Sequence, residues 1–362
     1  MGLTGICLWK GSIATFVGKQ HLGAEGSRGE QLLIAGPWLH GGGGRIDANS
    51  SGDNYAVTVG ELDFPKQAAF PFPGGMREHM AQYFRQQMGL LSAKEAADQS
   101  LAAAIAPATV QYYVMGAVGE PGAPGNEWRT APDFPVPATP TKYFLVAGGE
   151  LSLSCPAAGP GSVTDIVADP AKRADNGSGG VGFPGARDAR VLEAQQPYVH
   201  TFTTPVLEAA VEWTGAVHAV MHMQLGEATD CDCIVRVSDV YPDGRSMLIA
   251  DYHRRASFKE GLNCPPTALS HGEDVELTFR VGWLSQIFAA GHSIRVTVSC
   301  TGLPLYETGG NGSDTTAGRT THKLMHGMVR PSHVLAPVLG AAPRVDVSEA
   351  FVAELATGVF PA

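Results

Sequence analysis

No run of apolar residues in this 362-residue chain approaches the roughly 18 needed to cross a bilayer as a helix. The first 20 residues also lack the basic start and apolar block of a secretory signal. The sequence therefore predicts a soluble, cytoplasmic protein without a membrane partner. Charge is scarce, at 17% of residues, and Lys plus Arg total 25 against 35 Asp plus Glu, for a net charge of -10. That sign repels a phosphate backbone and argues against nucleic acid. Cysteines number 6 (Cys7, Cys155, Cys231, Cys233, Cys264 and Cys300), too few and scattered for a disulfide scaffold, so they read as free thiols. N-x-S triplets at Asn49, Asn176 and Asn311 would matter only in a secreted eukaryotic protein.

What is present is a globular composition: 44% hydrophobic residues, with 45 Gly and 25 Pro that favour strands joined by turns. The length suggests about two domains. Residues 31–36, QLLIAG, form a short apolar run ending in Gly, as in a strand buried on both faces of a parallel sheet. PWLHGGGGR follows and puts His40 on the loop at the carboxyl end of that strand, where open α/β sheets gather reactive groups. The run Gly41 to Gly44 precedes no Gly-Lys-Ser/Thr and reads as a flexible loop, not a phosphate cradle.

Two helices come next. Over residues 75–88, Met76, Met80, Tyr83, Phe84 and Met88 recur at helical spacing and predict a core-facing stripe. Ser92 opens S-A-K-E, a capping box that starts an Ala-rich helix expected to run to Pro107. Beyond about residue 110 the period changes from 3.6 to 2. Val275, Leu277, Phe279, Val281 and Trp283 alternate with Glu276, Thr278, Arg280 and Gly282, and Ile294, Val296, Val298 and Cys300 repeat the pattern. Between residues 233 and 253 two strands flank the turn Pro242-Asp243-Gly244. The expected architecture is an antiparallel sandwich or jelly roll after a boundary near residue 107. The loop Gly309 to Gly318 carries no identifiable chemistry.

Metal chemistry has weak support. His218 and His222 are four apart and Asp230-Cys231-Asp232-Cys233 follows, but VHAVMHMQL alternates as a strand. There, residues four apart lie about 13 Å from each other, too far for one zinc with bonds near about 2.1 Å. His322 and His326 are judged in the same way, and neither H-E-x-x-H nor paired C-x-x-C occurs.

Nucleophilic hydrolysis is the sharper reading, because a His on the loop after a buried strand is where an α/β-hydrolase keeps its general base. Such a base needs a Ser in G-x-S-x-G and an orienting acid. That elbow is absent from the sequence, and no Asp or Glu occurs among residues 1–24. Glu25 and Glu30 sit in a polar turn, Ser12 and Ser27 lack the strained elbow, and Asp47, Asp53 and Asp63 follow His40 in the wrong order for this fold.

The segment GPWLHG, residues 36–41, resembles the His motif of the cocaine-esterase-type (CocE/NonD) hydrolases, relatives of X-Pro dipeptidyl-peptidases and α-amino-acid ester hydrolases. The likeness continues through VQYYVMGA (110–117), TKYFLVAGG (141–149), DVYPDGRS (239–246) and AGHSIRVTVS (290–299), in the family's order. The resemblance implies a mainly β chain. A C-terminal antiparallel jelly roll, galactose-binding-like, over residues 107–362 would follow the last strand and helices of a truncated α/β-hydrolase domain over residues 1–106.

By that resemblance His40 is the triad's general base, no cofactor is required, and the substrate is a small ester or peptide. TGICLWKGS, residues 4–12, matches the family's acid-bearing strand end but holds no carboxylate. The Ser and acid are then expected from an upstream segment or a second chain. Alternatively the chain is a non-catalytic sandwich that binds carbohydrate or a protein partner, or one subunit of a split hydrolase. A homo-oligomer through the jelly roll is a further expectation. Because a lone parallel strand exposes apolar edges, residues 1–106 are expected to be partly disordered, rearranged onto the jelly roll, or docked to a second polypeptide.

Overall fold

The computed structural model describes residues 8–38, 57–70, 75–98, 109–156, 162–172, 185–302 and 318–340. In chain order the elements begin with helix α1 (Leu8–Leu22), strand β1 (Leu32–Ala35), the hairpin β2 (Val57–Val59) and β3 (Leu62–Phe64), and helices α2 (Gly75–Gln87) and α3 (Ala93–Ala96). There follow β4 (Thr109–Val114), β5 (Glu127–Ala131), β6 (Thr139–Val146), β7 (Glu150–Ser152), β8 (Val163–Ala168) and a single helical turn α4 (Arg190–Glu193). The chain continues as β9 (Val199–Thr203), β10 (Val211–Gln224), β11 (Asp232–Val240), β12 (Ser246–Arg255), β13 (Asp274–Phe288), β14 (Ser293–Ser299), β15 (Thr320–Met325) and β16 (His333–Leu339). The fold is mainly β, as the sequence predicts.

Most strands join one ladder in the order β12-β11-β14-β9-β7-β6-β16-β10-β15-β8, with β13 also paired to β10. Its neighbours are antiparallel except at the β7–β9 step. The ladder folds back on itself, so β13 meets β12 face to face: a Cβ placed on Gly282 would lie 3.2 Å from the Ala250 Cβ. Between the faces Trp213 packs on Phe288 at 5.1 Å and on Tyr143 at 5.0 Å, and Trp283 packs on Phe134 at 5.2 Å. Burying side chains of this kind contributes on the order of 1.5–3 kcal/mol each relative to exposure.

The alternation read in the sequence is the alternation observed. Val275, Leu277, Phe279, Val281 and Trp283 are buried, as are Ile294, Val296, Val298 and Cys300. From Gly282 onward both faces of β13 are buried, and its edge is paired by Met115, just after β4: Met115 N–H donates to Ser285 O (2.9 Å) and Ile287 N–H to Met115 O (2.8 Å). The β11–β12 hairpin turns at Tyr241–Gly244, where Gly244 N–H donates to Tyr241 O (2.9 Å) and Gly244 adopts φ 87°. Only glycine takes that conformation readily.

Three expectations need correction. The stripe on α2 is not core: Met80, Phe84 and Met88 are 49%, 54% and 62% exposed. The helix is held instead by His79, which packs against Phe70 at 5.3 Å. Helix α3 does begin with the Ser92–Glu95 capping box, but it is one turn long. Its expected continuation and the boundary near 107 fall in residues 99–108, outside the described residues. Finally, residues 8–12 of TGICLWKGS belong to α1, not to a strand end.

Candidate functional site

The candidate site is the carboxyl end of β1, where the sequence places His40. Helix α1 buries Ile13, Phe16 and Val17 at helical spacing and precedes β1 in the chain. The strand pairs in parallel with β4, from Leu32↔Thr109 to Ala35↔Tyr112, and β4 pairs antiparallel with β5. The apolar run is thus a parallel strand, though its burial alternates: Leu33 and Ala35 are buried and Leu32 and Ile34 half-buried. Leu33 and Ala35 share one core with the sandwich, as do Ile13, Phe16 and Val17 of α1 and Val57, Val59 and Phe64 of the β2–β3 hairpin. These elements are therefore packed onto the jelly roll, whereas no described residue of α2 or α3 belongs to that core.

Past β1 the chain is fixed by Trp38, which is 1% exposed. Its indole Nε1 donates to Ala68 O at 2.8 Å, and its ring packs on Phe70 at 5.5 Å and Trp128 at 5.7 Å. Trp128 Nε1 in turn donates to Gln67 O at 2.6 Å. Tyr113 on β4 meets Trp128 and Phe64 edge-on, at 5.5 and 6.2 Å. Burial, with the charge of Glu127 adding to it, pushes the Tyr113 phenol well above its ordinary range, so it stays protonated. A Cβ on Gly36 would lie 2.5 Å from the Trp38 ring, so glycine is needed for the indole to fold back over the strand end.

The aromatic frame therefore ends two residues before His40, which itself lies outside the described residues, as do Asp47, Asp53 and Gly41 to Gly44. Sequence reading missed this frame. The signal for it is a Gly and a Trp flanking Pro37, with partners supplied from far along the chain.

Other candidates are accounted for locally. Ser27 donates to Ala24 O (2.9 Å) in the turn before β1, and Asp63 accepts from Thr58 (2.7 Å) across the β2–β3 hairpin. Ser12 lies within α1, and Glu25 and Glu30 are exposed. In the last turn of α1, His21 Nε2 lies 2.9 Å from Asp133 Oδ2 without hydrogen-bond alignment.

The His and Cys clusters are also structural. His218 and His222 lie on β10, where the sequence predicts a strand, and His222 faces Glu276 at 3.7 Å. Asp230 accepts from the N–H groups of Cys231 and Ser257, at 2.9 and 2.8 Å. Asp232 makes a two-pronged contact with Arg255, both arms at 3.1 Å. The Cys231 thiol lies against Cys300, and that contact together with burial pushes its pKa far up; burial does the same to Cys233. Such thiols are unreactive. His322 Nδ1 accepts from Gly226 N–H at 3.3 Å, and His326 Nε2 contacts Thr164 Oγ1 at 2.7 Å. Among the described residues no three His, Cys, Asp or Glu side chains converge to hold a metal.

An antiparallel jelly roll beside a short mixed sheet, with β1 and β4 parallel, defines the fold class. Comparison with known proteins is specific within it: the model of the X-Pro dipeptidyl-peptidase C-terminal non-catalytic domain matches residues 104–335. The chain belongs to that family. It is similar to the cocaine esterase of Rhodococcus sp. (strain MB1 Bresler), with 27% identity over 347 residues, covering 91% of this chain and 54% of the esterase. Its fold is similar to an α-amino acid ester hydrolase, with TM-score 0.64, 22% identity, and coverage of 85% of this chain and 50% of that one. An aminopeptidase from a marine sediment Thaumarchaeota archaeon is similar in fold too, with TM-score 0.62, 21% identity, and coverage of 86% and 50%. The chain thus spans about half the length of the relatives it matches. The resemblance to cocaine-esterase-type hydrolases read from the motifs holds.

Proposed function

We propose that this chain is the C-terminal, sandwich-bearing portion of a serine esterase or peptidase that cleaves ester or amide bonds of small acyl substrates, in the manner of the dipeptidyl-peptidases and amino-acid ester hydrolases. His40 is its general base. The Ser and the acid come from outside these 362 residues, either from a preceding segment or from a second polypeptide. In the complete site Ser attacks the acyl carbonyl, His40 takes the Ser proton and returns it to the leaving group, and the acid holds the His tautomer.

The observation that carries this reading is β1. It pairs in parallel over four residues in a sheet separate from the sandwich ladder, whose one parallel step is the single residue pair at β7–β9. The α/β sheets are built of parallel strands and carry their reactive loops at the carboxyl ends. Here a helix, a parallel strand and a Trp-anchored turn lead to His40. The exposed stripe of α2 gives the missing sheet or its helices an apolar surface to cover.

The alternative, a binding module without catalysis, draws on one finding, the match of residues 104–335 to a domain described as non-catalytic. Intact mass after exposure of the purified chain to a fluorophosphonate tests the proposal. No adduct is expected on the isolated chain. An adduct that disappears in His40→Ala would reveal a nucleophile within these residues and overturn the incomplete-triad account.

A further inference from the structure

A buried His lies between two carboxylates at the junction of the small sheet and the sandwich. His292, in the turn between β13 and β14, is 0% exposed. Its Nδ1 is 2.7 Å from Asp239 Oδ1 at the end of β11, and its Nε2 is 3.0 Å from Glu120 Oε2. Glu120 belongs to the loop of residues 115–126 between β4 and β5, which contains Pro121 and Pro124 and has Gly119, Gly122 and Gly125 at positive φ. That loop has no regular secondary structure to hold it over its outer half.

Ionised carboxylates only accept, and a neutral imidazole has one N–H, so with Asp239 and Glu120 both ionised the two contacts are satisfied together only by the imidazolium. Every neighbour bears on that proton. Asp239 Oδ2 accepts from Gln286 Nε2 at 3.3 Å, on the residue of β13 that bridges to Met115. The Tyr241 ring lies 4.5 Å from the imidazole, and its hydroxyl accepts from Val118 N–H at 2.9 Å. Arg245 stacks on the other neighbour, the Tyr241 ring, at 4.4 Å and is paired with Asp243 at 2.7 Å.

We infer that His292, clasped between Asp239 and Glu120, is a proton-operated latch that holds the 115–126 loop against the sandwich and lets go of Glu120 when it loses its proton.

Burial opposes the charge on His292, but the hydrogen bonds and charges of Asp239 and Glu120 outweigh it and raise its pKa above the ordinary 6.5. Asp239 is also raised, because burial outweighs its contact with His292. Tyr241, pushed up to about 12 by burial, stays neutral throughout. A raised folded-state pKa means that the contribution is complete below pH 6.5 and is lost as pH rises through the higher folded value. Release is local, since the Met115 hydrogen bonds to β13 do not involve the latch.

The test uses the full chain with its histidine rings labelled for NMR, and hydrogen exchange of residues 116–125 corrected for intrinsic exchange chemistry. The His292 midpoint should lie above 6.5. Exchange protection of the loop should fall by about tenfold or more across that midpoint, the size of one charge-assisted hydrogen bond. Glu120→Gln should lower the midpoint by about one pH unit and leave the loop weakly protected at every pH, with the protection of β11 and β14 unchanged. A wild-type midpoint at or below 6.5, or loop protection equal on both sides of it, would overturn the latch.

Discussion

Gly36 shows how a single residue places the candidate site. A methyl group there would collide with the Trp38 indole at 2.5 Å, so Gly36→Ala should push the ring off Ala68 O. The cost is about 1–3 kcal/mol, typical of overpacking, read as a lower urea midpoint with an unchanged slope and a shift in tryptophan emission. Two buried histidines give a different residue-scale prediction. Burial drives His322 and His326 down to about 4, with His200 adding to the effect on His326. A lowered folded-state pKa places their stabilising contribution above the unfolded value near 6.5, and it is lost as pH falls toward about 4. The loss is on the order of 1.4 kcal/mol per pH unit for each histidine. Urea midpoints measured between pH 7 and pH 5 should fall, and His322→Gln should flatten the decline. His292 works in the opposite sense: its contribution is complete below pH 6.5, so deleting its contacts should lower the urea midpoint there without changing the slope of the acid decline.

At the scale of elements, the difference between pattern and surroundings decides what a sequence reveals. The strands β13 and β14 and the β11–β12 hairpin were legible because alternation and turn chemistry are local. The stripe on α2 was legible as a stripe, but periodicity says which face is apolar and not what covers it. Helix α1 was misread because family likeness assigned its residues to a strand end, although Ile13, Phe16 and Val17 carry a helical spacing. Phe84→Glu follows from this. On the isolated chain it should change stability by no more than about 0.5 kcal/mol, as exposed substitutions do. Against a hydrolase segment that covers α2 it should weaken association by about tenfold or more, since it buries a charge. Equal loss of stability in the isolated chain would show that the stripe is packed and not a docking face.

The whole molecule joins what the sequence keeps far apart. Glu120 and His292 are 172 residues apart, and no local signal links them; only the path of β4 past β13 brings the loop to the turn. The aromatic frame around Trp38 has the same origin, with Trp38, Phe70 and Trp128 drawn from three segments. The motifs nevertheless held Asp239 and His292 within DVYPDGRS and AGHSIRVTVS, so the family likeness marked the cluster without revealing its geometry. What the sequence shows of the proposed site is a candidate base, His40, and no G-x-S-x-G or preceding acid to go with it.

The central claim is that this chain supplies the base, and another segment the nucleophile, of one hydrolytic site. The most direct measurement is fluorophosphonate labelling of the assembly purified from its native cells through a tag on this chain, with the modified serine located by peptide mass. The account predicts an adduct on a serine outside these 362 residues, in a G-x-S-x-G setting, that is lost in His40→Ala. An adduct on a serine within the chain, or one indifferent to His40→Ala, would contradict it.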